Sequence, residues 1–148
     1  MSSPIIQLTA ALITELAAGT FSLPYTATRA YSPYRTLEEL TTASESGMVL
    51  SMVPASQDIR VLDRSDDERD FVVDIGIQKK VSDKTLATID PLMAFVDEVV
   101  TFLARRRLTD FSTAKWLLTE NDQIYHPAHL DDIAVFTSVL RLHYRVMA

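Results

Sequence analysis

The sequence predicts an α+β domain, a mainly antiparallel sheet with two long helices packed on one face. Three observations carry that prediction. Segments beginning at Ser3 and at Asp90 repeat apolar residues at spacings of three and four, the signature of amphipathic helices. Phe71, Val73, Ile75 and Ile77 alternate with Val72, Asp74, Gly76 and Gln78, the period of a half-buried strand. The order is helix, strands, helix, strands, which is not the strict alternation of a parallel α/β sheet. With 148 residues, 47% hydrophobic and 23% charged, the chain suits one domain over 1–148 with a core that needs no staples.

Along the chain, Ser3 is placed as an N-cap and Pro4 at the first helical position. Ile5, Leu8, Leu12 and Leu16 make one apolar stripe, and Gly19 supplies a stop. Residues 21–31 are aromatic and Thr-rich and read as extended, with Pro24 confining them to an edge or a bulge. Residues 37–42 suit one helical turn, and residues 43–47 a loop tip expected to be disordered. Residues 48–53 read as a strand ended by Pro54, with Ile59 and Val61 extending it or beginning the next. Residues 63–70, almost wholly charged, are placed at a turn before the clear strand from Phe71. Gly76 inside that strand predicts a bulge or a close backbone approach.

Asp90 and Pro91 are expected to open the second long helix, with room for a turn before them; Leu92, Val96, Val99 and Leu103 lie on its buried face and Met93 and Val100 beside them. Arg105, Arg106 and Arg107 are placed in its last turn, where positive charge complements the helix dipole. Residues 115–119 read as a short strand, 120–122 as a turn, 123–125 as a brief return strand and 126–132 as a loop. Residues 133–147 form a long final strand. One of its faces holds Phe136, Leu140, Leu142, Tyr144 and Val146, and the other Val135, Thr137, Val139, Arg141, His143 and Arg145.

Composition narrows the function. Cysteine is absent, which excludes disulfides and thiolate metal sites and suits a reducing cytoplasm. No secretory signal is expected, because the first four residues carry no Lys or Arg, and no apolar run is long enough for a membrane span. A net charge of -6 with a single basic run argues against non-specific nucleic-acid binding and suits docking on a charged partner.

His126 and His129 stand close together, but zinc needs three or four converging ligands, and Pro127 is expected to keep the pair off a regular helix. A polar loop ordered by local hydrogen bonds accounts for them. Asp63, Asp66, Asp67, Glu68 and Asp70 lack the glycine of a calcium loop and are interrupted by Arg64 and Arg69, so they read as a solvated hairpin tip that can present charge to a neighbour. Arg105, Arg106 and Arg107 read as helix-end charge able to meet an acidic partner, and Arg141, His143 and Arg145 as an interface strip. No phosphate-binding glycine loop, dinucleotide fingerprint or nucleophile elbow occurs, and no catalytic, cofactor or metal residue is assigned. The final strand far exceeds the typical five or six residues, which leaves backbone groups for pairing with another chain. Acidic and basic patches separated along the chain suit a head-to-tail ring.

The helix from Ser3, the segment Asp70-Phe-Val-Val-Asp-Ile-Gly-Ile-Gln-Lys-Lys80, the helix from Asp90 and the ending carry a family likeness over nearly the whole chain. That ending is Tyr125-His-Pro-Ala-His-Leu130, then Phe136-Thr-Ser-Val-Leu140 and Tyr144-Arg-Val146. In these features the chain resembles the tail terminator and tail completion proteins of long-tailed bacteriophages. The resemblance implies a subunit of a ring, often a hexamer, that caps the tail tube, ends its polymerisation and joins the tail to the head connector. It implies no catalytic residues and no membrane partner, with DNA met only inside the ring lumen. The location would be the virion neck or tail, and the host cytoplasm during assembly. Residues 36–47 and 63–70 are the expected contact loops. The alternatives from other classes are a small metal-dependent hydrolase using His126, His129 and nearby acids, and a host-interaction adaptor module.

Overall fold

The computed structural model describes residues 3–43, 47–65, 67–121 and 124–147, with the side chains of 41–43 outside the description. The chain is α+β, with four helices and a five-stranded mixed sheet among the described residues. The elements in order are α1 (Pro4–Ala17), β1 (Tyr25–Arg29), α2 (Leu37–Ala43), β2 (Met48–Val61), β3 (Asp67–Lys80), α3 (Leu86–Leu103), β4 (Lys115–Glu120), α4 (Pro127–Ile133) and β5 (Val135–Met147). The strand order is β1-β2-β3-β5-β4. β1 lies parallel to β2 and the other three pairings are antiparallel.

The alternation in β3 sets the core. Phe71, Val73 and Ile75 face the same side as their partners Tyr144, Leu142 and Leu140 on β5, and all six are buried. Leu50 and Met52 continue that side on β2, opposite Ile77 and Ile75. These side chains form one buried cluster with Leu8, Leu12 and Leu16 of α1 and with Leu92, Phe95, Val96 and Val99 of α3. Burying such aliphatic side chains stabilises by roughly 1.5–3 kcal/mol each. Phe95, fully buried, is absent from the core positions expected for α3; it packs its ring near Phe21 and Tyr25.

The opposite face is partly covered. Leu40 of α2 is buried with Val49 and Val135 in a second cluster. Pro33 crosses Gly76 so closely that a Cβ there would lie 2.0 Å from the Pro33 carbonyl oxygen. Of the two roles expected for Gly76, close backbone approach is therefore the one observed. The Gln78 carboxamide joins the layers, accepting from the Arg35 backbone N–H at 2.8 Å and donating to Thr137 Oγ1 at 3.1 Å.

Several expectations are corrected. The final strand does not overhang: β5 pairs with β3 along its full length, from Val135 opposite Lys80 to Met147 opposite Glu68. The overhang belongs to β2. β1 covers only Met48–Met52, and β2 runs on past Pro54 to Val61 as half of an exposed arm with β3. Pro54 does not end the strand because the register shifts between Pro54 and Ser56, and an edge irregularity tolerates the missing N–H. α3 begins at Leu86, so the turn allowed before Asp90 is the helix's own first turn. Asp83 Oδ1 accepts from the Thr85 N–H, the Thr85 carbonyl accepts from Thr88 and Ile89, and Pro91 falls inside the helix. Pro127 starts a helix instead of preventing one, since its missing N–H costs nothing in the first turn. Ile124 and Tyr125 bend and form no return strand. The expected loop tip at 43–47 and the turn residue Asp122 lie largely outside the described residues.

Candidate interaction surfaces

The acidic cluster divides into a tip and a strand. Asp63 sits in the turn, where its Oδ1 accepts from the Ser65 N–H at 2.8 Å and the Ser65 hydroxyl at 3.1 Å. Asp66 lies outside the described residues. Asp67, Glu68 and Asp70 are not in the turn but open β3. Asp67 lies 3.9 Å from Arg69. Glu68 lies 2.6 Å from Arg145 Nε. Asp70 accepts from Arg145 through both carboxylate oxygens, at 2.8 and 3.1 Å. The Arg145 hydrogen bonds hold the Asp70 carboxyl below its ordinary pKa, against the opposing effect of partial burial.

Antiparallel pairing explains these contacts, because directly opposed residues share a face. Asp70 is opposite Arg145 and Asp74 opposite Arg141. Arg141 donates to both Asp74 oxygens, at 3.0 and 3.3 Å. His143 Nε2 lies 2.5 Å from Glu120 Oε1 on β4. Arg141, His143 and Arg145 thus form a ladder of pairs within their own sheet. The interface strip expected from sequence is already engaged by the acids of β3 and β4, which single-strand reading could not place opposite it.

The basic run is also relocated. α3 ends at Leu103, and no basic residue occupies its last turn. Arg105 follows the helix in the left-handed region, with φ of 58°. Arg106 turns back to α1, where its Nε donates to Glu15 Oε2 at 2.6 Å and its guanidinium stacks 4.0 Å above the Phe102 ring. Glu15 is buried, and its other oxygen accepts from the Thr109 N–H at 2.8 Å. That backbone bond first, and the Arg106 bond second, hold the Glu15 carboxyl below its ordinary pKa. Sequence reading missed Glu15, although its place beside Leu16 on the apolar stripe of α1 was a visible sign of a satisfied buried acid. Arg105, Arg106, Arg107 and Lys115 line a pocket of about 350 Å³ with Trp116.

His126 and His129 are brought together by α4. Their rings stack with centroids 3.8 Å apart, and Tyr34 meets both edge-on. His126 Nδ1 accepts from the His129 N–H and caps the helix; His129 Nδ1 lies 2.9 Å from Thr137 Oγ1. Burial first, and the neighbouring His126 second, lower the His129 pKa. Face-to-face rings do not converge on a point as metal ligands must. Among the described residues no three His, Cys, Asp or Glu side chains gather as a metal set, and no helix is long and apolar enough to cross a membrane.

Compared with known proteins, the chain matches no protein-family model and no curated protein.

Proposed function

We propose that this chain is a structural subunit of a phage neck or tail, assembling into a ring that caps the tail tube, ends its polymerisation and joins the tail to the head connector. The observation that carries the reading is the β2–β3 arm. Residues 55–61 of β2 are exposed, and β1 stops at the partner of Met52, so the outer edge of the arm is open among the described residues. Monomeric proteins protect such edges, whereas assembly subunits use them. In this reading α1 and α3 are the two long helices that back one face of a mainly antiparallel sheet. The segments that resemble tail terminators fall on α1, β3, α3, α4 and β5. The ring is a homo-oligomer, and the tube and connector proteins are its partners.

Light scattering of the purified protein and electron microscopy with tail tubes test the reading. A defined ring, free or seated on tube ends, is expected; a protein that stays monomeric and never associates with tubes or connectors overturns it. The hydrolase alternative draws on the proximity of His126 and His129, but their stacked rings do not converge on one point. Metal analysis separates the two readings, because a stoichiometric metal lost in a His126→Ala, His129→Ala double variant favours the hydrolase.

A further inference from the structure

Besides the outer side of β1, the distal half of β2 and the outer side of β4 are stretches of the sheet border with no neighbouring strand among the described residues. They lie on opposite sides of the sheet and at the same height. One row of residues joins them. Asp58 on β2 is opposite Asp70 on β3, Asp70 is opposite Arg145 on β5, and Arg145 is opposite Lys115 on β4. The charges along this row run negative, negative, positive, positive. The central two neutralise each other through the paired Asp70–Arg145 hydrogen bonds. Asp58 and Lys115 stand exposed at the ends. Such a row is complementary to a shifted copy of itself, basic end against acidic end.

Strand direction agrees. Three successive antiparallel pairings, β2 with β3, β3 with β5 and β5 with β4, make β4 antiparallel to β2. Copies rotated about an axis along the strands keep that direction. β4 of one copy then meets β2 of the next in the antiparallel sense, the more stable pairing. Because both borders lie on one row, the contact does not climb, and a head-to-tail contact without climb closes into a ring when the rotation from copy to copy divides the circle.

The surroundings of the two borders also fit. Beyond Asp58 the arm carries Ile59 and Val61, 47% and 76% exposed, and then the tip with Asp63. Before Lys115 lies the basic pocket with Trp116. With Asp58 opposite Lys115, the antiparallel course carries Ile59, Arg60, Val61 and the tip with Asp63 and Arg64 past the pocket.

We propose that β4 of one copy pairs with the distal edge of β2 in the next, Lys115 opposite Asp58, with the arm tip seated against the Arg105–Arg107 pocket. The inference deepens the ring reading and rests on it only in that copies associate head to tail.

The sequence contains no cysteine, so introduced thiols have no native competitor. Opposed residues of an antiparallel pair lie about 4.5–5.5 Å apart between Cα atoms, within disulfide range. Single variants Asp58→Cys and Lys115→Cys of the full chain are mixed under mild oxidation, with Asp58→Cys plus Thr14→Cys as control, Thr14 being exposed on α1. The expected result is a disulfide between Asp58→Cys and Lys115→Cys chains at about ten times the control yield, and a covalent ladder from the double variant. Charge reversal gives a second readout: Asp58→Lys or Lys115→Asp weakens association about tenfold in sedimentation, and combining them in one chain restores it. Unchanged far-UV circular dichroism shows that each variant is folded. Oligomers that form in light scattering without preferential cross-linking, and without a response to charge reversal, overturn this interface and leave the ring reading standing. A chain that neither cross-links nor oligomerises, alone or with tubes, overturns both.

Discussion

Glu15 is the residue on which the region after α3 depends. Its carboxylate is buried and ties Arg106 and the Thr109 backbone to α1. Replacing it with alanine leaves that donor and that cation unpaired, so Glu15→Ala is expected to lower stability by about 2 kcal/mol in urea titrations. Its pKa, like that of Asp70, is lowered in the folded state. As pH falls through the carboxylate range the unfolded chain therefore binds protons first. Stability from these groups is complete above their ordinary values, 4.5 for Glu and 3.8 for Asp, and is lost as pH drops through their lower folded values. The stability difference between wild type and Glu15→Gln should therefore shrink below about pH 4, measured as urea midpoints across pH. Gly76 makes a different demand. A Cβ there meets a backbone oxygen that cannot rotate away, so Gly76→Ala is expected to cost about 3 kcal/mol or to displace the segment around Pro33, read by denaturation and by the Tyr34 environment in near-UV spectra.

At the scale of elements, β2 is two strands in one. Its first part, Met48 to Val53, is buried, with β1 alongside as far as Met52 and β3 on the other side; residues 55–61 are exposed and paired with β3 alone. Amide exchange should follow this division. Amides of residues 55–61 exchange faster than those of residues 48–53 in the free chain, and gain protection when copies assemble. Equal protection along β2 in the free chain would contradict an open arm. α3 contains a local conflict at Pro91, which lies inside the helix, exposed, and cannot donate to the Ala87 carbonyl. Because no packed side chain is lost, Pro91→Ala should stabilise the protein by roughly 1–3 kcal/mol, seen as a higher thermal midpoint.

For the whole molecule, the arrangement of charge across the sheet matters more than net charge. The chain is acidic overall, at -6, which alone would keep copies apart. The row from Asp58 to Lys115 has opposite signs at its two ends, and the basic pocket adjoins the Lys115 end. Head-to-tail association through these borders should weaken as ionic strength rises from about 0.05 to 0.5 M, because exposed charges are screened over a shortening Debye length. Analytical ultracentrifugation across that range checks it; association that strengthens with salt would point to an apolar interface elsewhere.

Local periodicity was legible in the sequence: the stripes of α1 and α3, the period of β3 and both faces of β5, with Gly76 marked as either a bulge or a close approach. Each follows from a repeat of 3.6 or 2, or from a missing side chain, and needs no knowledge of neighbours. The folded arrangement was needed to place the overhanging strand, the role of Gly76, the acids that engage Arg141, His143 and Arg145, and the pairing of Arg106 with Glu15. Those are pairings between residues far apart in the chain, such as Arg106 with Glu15 and Arg145 with Asp70. They arise from strand order and register, quantities that no single segment encodes. For that reason the length of β5 points to an exposed edge there, while the open edge lies on β2, where the partner strand β1 is short.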